Sequence, residues 1–148
     1  MKLISTVILL LPFIAAAQTG TWISKESLPT ARQEMPSILV NGKIYTIGGI
    51  ASNASILNTN EAYTVSSNTW VSLASAPVPR HHQALASVGE NIFMLGGYSN
   101  LTFSATPENF IYNTLSNQWD TIAPLPAPLG GSCSYHMEPQ NFRFWWRK

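Results

Sequence analysis

The stretch Asn41-Gly42-Lys43-Ile44-Tyr45-Thr46-Ile47-Gly48-Gly49 decides the fold. Asn-Gly between extended flanks is the strongest short-range signal for a β-hairpin turn. The run behind it, Lys43 to Ile47, is apolar and β-branched and nearly continuous. That pattern predicts a strand covered on both faces, as between stacked sheets. A glycine pair then permits positive φ and a close backbone approach where the strand ends. Ile92-Phe93-Met94-Leu95-Gly96-Gly97 has the same order 48 residues later.

The rest of the chain keeps this register. Trp22, Trp70 and Trp119 are spaced by 48 and 49 residues, Arg32 recurs as Arg80, and Tyr63 recurs as Tyr112. Tyr63 and Tyr112 each stand seven residues before their tryptophan. Self-similarity at this period is the signature of a repeat architecture, each repeat being one supersecondary unit. Each unit predicts four short strands: Arg32–Val40, Lys43–Ile47, Asn60–Val65 and Thr69–Leu73, then His82–Val88, Asn91–Leu95, Asn109–Asn113 and Gln118–Ile122. Turn residues separate them and no helical periodicity interrupts, so the class is all-β.

Composition narrows the function classes. Only 10% of the 148 residues are charged, which excludes a coiled coil or a polyelectrolyte tail. Eight basic residues against seven acidic ones give no footprint for nucleic acid. Met1-Lys2, an apolar run from Leu3 and Ala15-Ala16-Ala17 predict a signal peptide over residues 1–17 and an exported, secreted or periplasmic, protein with no membrane partner after cleavage. Cys133 is the only cysteine, so no intramolecular disulfide is expected despite export.

These residues carry a resemblance. Leu28-Pro29 before Arg32, Gly48-Gly49, Glu61 and Tyr63, then Asn68-Thr69-Trp70, look like a kelch repeat, and the second set is Pro77 and Pro79 before Arg80, Gly96-Gly97, Tyr112 and Asn117-Gln118-Trp119. The resemblance implies kelch-type β-propeller blades, four-stranded antiparallel sheets, here in an incomplete ring. The expected organisation is a signal at 1–17, an isolated closing strand at 18–29, blade one at 30–76, blade two at 77–126, and a broken third repeat with an unmatched tail at 127–148. In the third unit the expected Arg position is Leu129, and Cys133 to Lys148 shows no strand–turn pattern. Residues 18–138 carry four basic and seven acidic side chains, whereas 139–148 carries three basic ones, so the end looks foreign to the repeats. A truncated or frameshifted product is the plain expectation; a short protein that self-associates through open blade edges is the rival.

Gly48, Gly49, Tyr63, Trp70, Gly96, Gly97, Tyr112 and Trp119 are expected to be structural. The resemblance places the start of each first strand by the mouth of a central channel, which makes Arg32, Glu34, Arg80 and His82 the candidate ligand contacts. Alternation along a strand would put Arg32 with Glu34 on one face and Arg80 with His82 on another. The same alternation sends His81 and His82 to opposite faces, so no metal site is expected, and no cofactor. The arginines double as ion-pair partners, with Glu61 the obvious acceptor in the first unit. Asn53 and Asn100 head glycosylation sequons on the long loops after the glycine pairs, with meaning only in a eukaryotic source. No paired carboxylates, nucleophile elbow or phosphate loop is present. The function expected is a module binding protein or glycan. The alternative implied by the resemblance is a sugar enzyme of the sialic-acid mutarotase kind, with Glu34 as base and Arg80 as carboxylate clamp; a galactose-oxidase-like centre is less expected.

Overall fold

The computed structural model describes residues 20–131 and 135–136. The described residues form strands, turns and bridges with no helix, and none that could cross a membrane as one. The strands are β1 (Arg32–Gln33), β2 (Ser37–Val40), β3 (Lys43–Ile47), β4 (Ile50–Ala51), β5 (Asn60–Thr64), β6 (Thr69–Ser72), β7 (Ala84–Val88), β8 (Asn91–Leu95), β9 (Asn109–Asn113), β10 (Gln118–Ile122) and β11 (Tyr135–His136). One sheet has the order β2-β3-β5-β6 and is antiparallel throughout. The second runs β10-β9-β8-β7-β11. Both are blades, and they do not close into a ring.

The sequence logic holds in each blade. Asn41 and Gly42 take φ of 48° and 75° and close the β2–β3 hairpin with Val40 opposite Lys43. Tyr45, Thr46 and Ile47 are all buried, so β3 is covered on both faces. The core between the blades joins Ile38, Val40, Tyr45, Ile47 and Ala62 to Leu85, Ile92, Met94, Phe110 and Tyr112. The Tyr45 and Tyr112 rings meet across it, 6.2 Å between centroids.

The tyrosine and tryptophan of each repeat form one joint, built twice. Tyr63 donates to Asn68 Oδ1 at 2.7 Å and Tyr112 to Asn117 Oδ1 at 2.7 Å. Both asparagines are left-handed, at φ 56° and 55°, which asparagine tolerates better than most residues. The rings of Tyr63 and Trp70 lie 5.2 Å apart, and those of Tyr112 and Trp119 lie 4.9 Å apart. Trp70 Nε1 donates to the carbonyl of Glu26, and Trp119 Nε1 to that of Ala74. Each tryptophan thus ties its outer strand to the segment that enters its own repeat.

The glycine pairs dock each repeat on the next. Gly49 N–H donates to Arg80 O at 2.8 Å, and Gly97 N–H to Leu129 O at 2.7 Å. Arg80 N–H returns to Leu57 O, as Leu129 N–H returns to Thr106 O. Leu129 therefore occupies the arginine position of a third unit whose start docks as the second does.

Four expectations are corrected. The strand expected over Arg32–Val40 is split. Glu34 turns left-handed at φ 57° and Pro36 offers no N–H, so β1 pairs with β4 while β2 pairs with β3. The strand expected from His82 starts at Ala84, because His82 is left-handed at φ 53°. No closing strand forms over residues 20–29, and Trp22 is fully exposed; the segment meets the first blade through Glu26, whose N–H donates to Asn68 Oδ1 and whose carbonyl accepts from Trp70 Nε1, side-chain bonds that make no strand ladder. In the tail, expected to show no strand pattern, Tyr135–His136 adds in parallel to the free edge of β7, beside the four antiparallel strands expected of that blade. The signal at 1–17 and Cys133 lie outside the described residues.

Candidate functional site

The two motif arginines are built inward. Arg32 has a fully buried side chain. Its Nη1 pairs with Glu61 Oε2 and donates to Thr30 O at 3.0 Å, while Nη2 donates to Thr46 Oγ1 at 2.8 Å. Thr30 Oγ1 completes the shell with a 2.7 Å bond to Glu61 Oε1. Arg80 repeats the device with a displaced acid. Its Nη2 pairs with Glu108, two residues before the register position that Phe110 fills, and its Nε donates to Thr106 Oγ1 at 3.1 Å. Burial lowers the Arg80 pKa, and the charge of Glu108 opposes the shift. Both guanidinium groups hold carboxylates of their own repeat.

Glu34 and His82 stand where each first strand breaks. They are one repeat apart, share the left-handed conformation, and are bonded to each other, His82 N–H donating to Glu34 O at 3.1 Å. Gly131 at φ 72° continues the series, its N–H donating to His82 O at 3.1 Å. A backbone ladder therefore links equivalent positions of successive repeats, beside β2 and β7, which pack against one another.

The break redirects the side chains. His81 and His82 do not point to opposite faces as regular alternation would require, because positive φ at His82 ends the pleat. Their Nδ1 atoms are 2.8 Å apart, and each is 3.3 Å from Glu34 Oε2. Glu34 likewise does not extend the face of Arg32. Among the described residues, Glu34, His81 and His82 are the group of acids and imidazoles whose ligand atoms lie within 4.8 Å of one another. His81 is fully buried, while the side chains of His82 and Glu34 are each 34% exposed. His81 Nε2 lies 3.0 Å from Asn100 O.

An aromatic wall stands over the imidazoles. Tyr98 and Phe103 meet edge to face at 5.1 Å, and His81 is 5.5 Å and 5.7 Å from them. Phe103 is exposed and left-handed at φ 60°. The loop carrying it is tied by Asn100 Oδ1, which accepts from the N–H groups of Thr102 and Ser104. Asn53 and Asn100, the sequon residues, both lie exposed on these loops. A pocket of about 580 Å³ opens alongside, lined by residues 31–34 and 50–52 with Ala54, Leu101 and Phe103. Only the backbone of Arg32 serves this lining, since its side chain is buried behind it.

Sequence reasoning placed Glu34 and His82 in this region but missed His81, Tyr98, Leu101 and Phe103. The signal for His81 was its position beside a left-handed residue, which no residue type in Arg80-His81-His82 announces. No curated protein matches the chain. Residues 31–77 match a family model described as Kelch motif, covering the first blade from Ala31 through Trp70. That match supports a kelch-repeat family for the first blade, and the second blade is built with the same glycine pair and Tyr–Asn–Trp joint.

Proposed function

We propose that this protein is an exported kelch-repeat binding module whose ligand, a protein or a glycan, is met at the pocket beside Glu34 and Phe103. The observation that carries the proposal is the pocket itself. It joins exposed apolar groups, Leu101 and Phe103, to an exposed carboxylate on a rigid double-blade scaffold. Pockets of this size with few convergent polar groups are where ligands bind, and loops on a rigid scaffold commonly carry recognition. An exposed aromatic ring suits either a sugar face or an apolar peptide side chain. Export is supported by the apolar run ending at Ala17. The sugar-enzyme alternative gains nothing from the geometry, because the Arg80 guanidinium that would clamp a carboxylate already holds Glu108.

The full chain would be screened on a glycan array and on a displayed-peptide library, with Phe103→Ser and Leu101→Ser as companions. The expected result is a ligand class whose affinity falls at least tenfold in Phe103→Ser. Silence in both libraries, or ligands indifferent to both substitutions, overturns the proposal.

A further inference from the structure

We infer that Glu34, His81 and His82 form a divalent transition-metal site, with Zn²⁺ the ion best matched to its donors. Two imidazoles and one carboxylate are a common donor set for such ions, leaving a fourth position for water or ligand. Zinc bonds to His and carboxylate are about 2.0–2.2 Å long, which sets tetrahedral donor atoms about 3.3 Å apart. Two of the three separations here are 3.3 Å, from each Nδ1 to Glu34 Oε2. The third, 2.8 Å between the two Nδ1 atoms, needs a small opening of the partly exposed His82 ring.

The tautomer supports the same conclusion. Asn100 O can only accept, so the 3.0 Å contact puts the His81 proton on Nε2. The Nδ1 lone pair then points at His82 and Glu34. A backbone carbonyl on the distal nitrogen is the usual outer partner of a metal-bound histidine, and it fixes the ring as well as the tautomer. Burial of His81 between Tyr98 and Phe103 leaves that lone pair no solvent to face. The backbone supplies a further argument. Left-handed φ at Glu34 and His82 is costly for residues with a Cβ, and strain of this kind gathers at functional sites. It is this conformation that brings the three donors together.

The inference is independent of the ligand proposal, because the metal alone is its probe. Full-length protein, stripped with chelator and free of any affinity tag, is titrated with ZnCl₂ by calorimetry and with Co²⁺ by visible absorption. The expected result is one ion per chain and a Co²⁺ d–d band of a four-coordinate site. Both should weaken at least tenfold in His82→Ala and in Glu34→Gln. These side chains are partly exposed, so circular dichroism and the apo melting temperature should stay at wild-type values in both variants. Zn²⁺ should also raise the melting temperature of the wild type and not of the variants. No saturable uptake by the wild type, or uptake equal in wild type and both variants, overturns the inference and leaves a plain Glu–His hydrogen-bond cluster.

Discussion

Gly48→Ala and Gly42→Ala change the same atom at nearly the same backbone angle, yet their costs should differ by several kcal/mol. Gly42 has φ 75° in the hairpin turn, and a Cβ there would meet nothing within 4 Å. Gly48 has φ 68°, and its Cβ would overlap the Arg80 carbonyl oxygen and sit 2.8 Å from Gln83 Nε2. Left-handed φ costs an alanine roughly 1–2 kcal/mol, and that applies to both. The gain from a stiffer unfolded chain is also common to both and cancels. What remains for Gly48 is the displacement of Arg80. That carbonyl cannot retreat without opening Gly49 N–H to Arg80 O at 2.8 Å and Arg80 N–H to Leu57 O at 3.2 Å. A buried backbone group left unsatisfied costs about 1–3 kcal/mol. Gly48→Ala should therefore lose about 2–4 kcal/mol more than Gly42→Ala, a large share of the roughly 5–15 kcal/mol that holds a domain. A second pair repeats the experiment. Gly89 at φ 57° faces open space, whereas a Cβ on Gly96 at φ 58° would overlap Leu129 O. Urea unfolding followed by tryptophan fluorescence gives all four values, since Trp70 and Trp119 are both partly buried. If the two members of each pair differ by less than about 1 kcal/mol, the glycine pairs serve φ alone, and the docking of one repeat on the next through them is refuted.

Two further predictions separate buried from exposed chemistry. Glu61→Gln strands the fully buried Arg32 charge and should cost about 3–5 kcal/mol. Glu108→Gln, in the same role but with a half-exposed carboxylate, should cost less than about 1 kcal/mol by urea midpoint, and equal losses would refute the assigned difference. Burial, with Tyr45 beside it, pushes the Tyr112 hydroxyl up to about 12 from 10.0. The folded state holds that proton more tightly, so its stability is full below pH 10 and is lost as pH rises toward 12. Tyr112→Phe should shallow the fall in urea midpoint between pH 10 and 12, the residual slope coming from buried Tyr45; an unchanged slope would refute the assignment.

The blades were legible because each strand carries its own evidence. Lys43–Ile47 and Asn91–Leu95 form over the expected residues because an apolar run stops at Gly-Gly, and Asn109–Asn113 and Gln118–Ile122 because the turn residues between them, Thr114 to Asn117, set their facing ends. Elements that depend on a partner were not legible. Residues 20–29 have strand-like composition around Trp22 but bond the first blade through side chains of Asn68 and Trp70 rather than through a backbone ladder, and Tyr135–His136 is a strand only because β7 offers it an edge. The site failed for a different reason. Periodicity assumes regular φ, and the left-handed turns at Glu34 and His82 fall on residues with a Cβ, where no glycine announces them. Once alternation broke, Arg32 parted from Glu34, and His81 met His82. The arginine pairing with Glu61 was visible in the motif, whereas the shift from Phe110 to Glu108 shows that a guanidinium can reach an acid two residues out of register.

The three equivalent ladder positions set strain against function within one chain. Glu34, His82 and Gly131 share φ of 57°, 53° and 72° and the same backbone bond from one repeat to the next. The backbone task is therefore identical at all three, and glycine performs it at the third without a Cβ to accommodate. A glutamate and a histidine at the other two each accept roughly 1–2 kcal/mol of conformational strain that the ladder does not require. That cost has to be set against something the side chains do. Packing accounts for part of it at His82, whose ring meets Tyr98 and Phe103 at 5.7 Å and 6.0 Å, but a partly exposed carboxylate such as Glu34 gains little by packing. Pairing between them is a weak reason too, since an exposed ion pair contributes about 0–1 kcal/mol. What the two share is their convergence on the buried Nδ1 of His81. The strain at Glu34 and His82 is thus best accounted for by the donor set they complete, and the fold tolerates it because the blades are fixed elsewhere by their glycine pairs and Tyr–Asn–Trp joints.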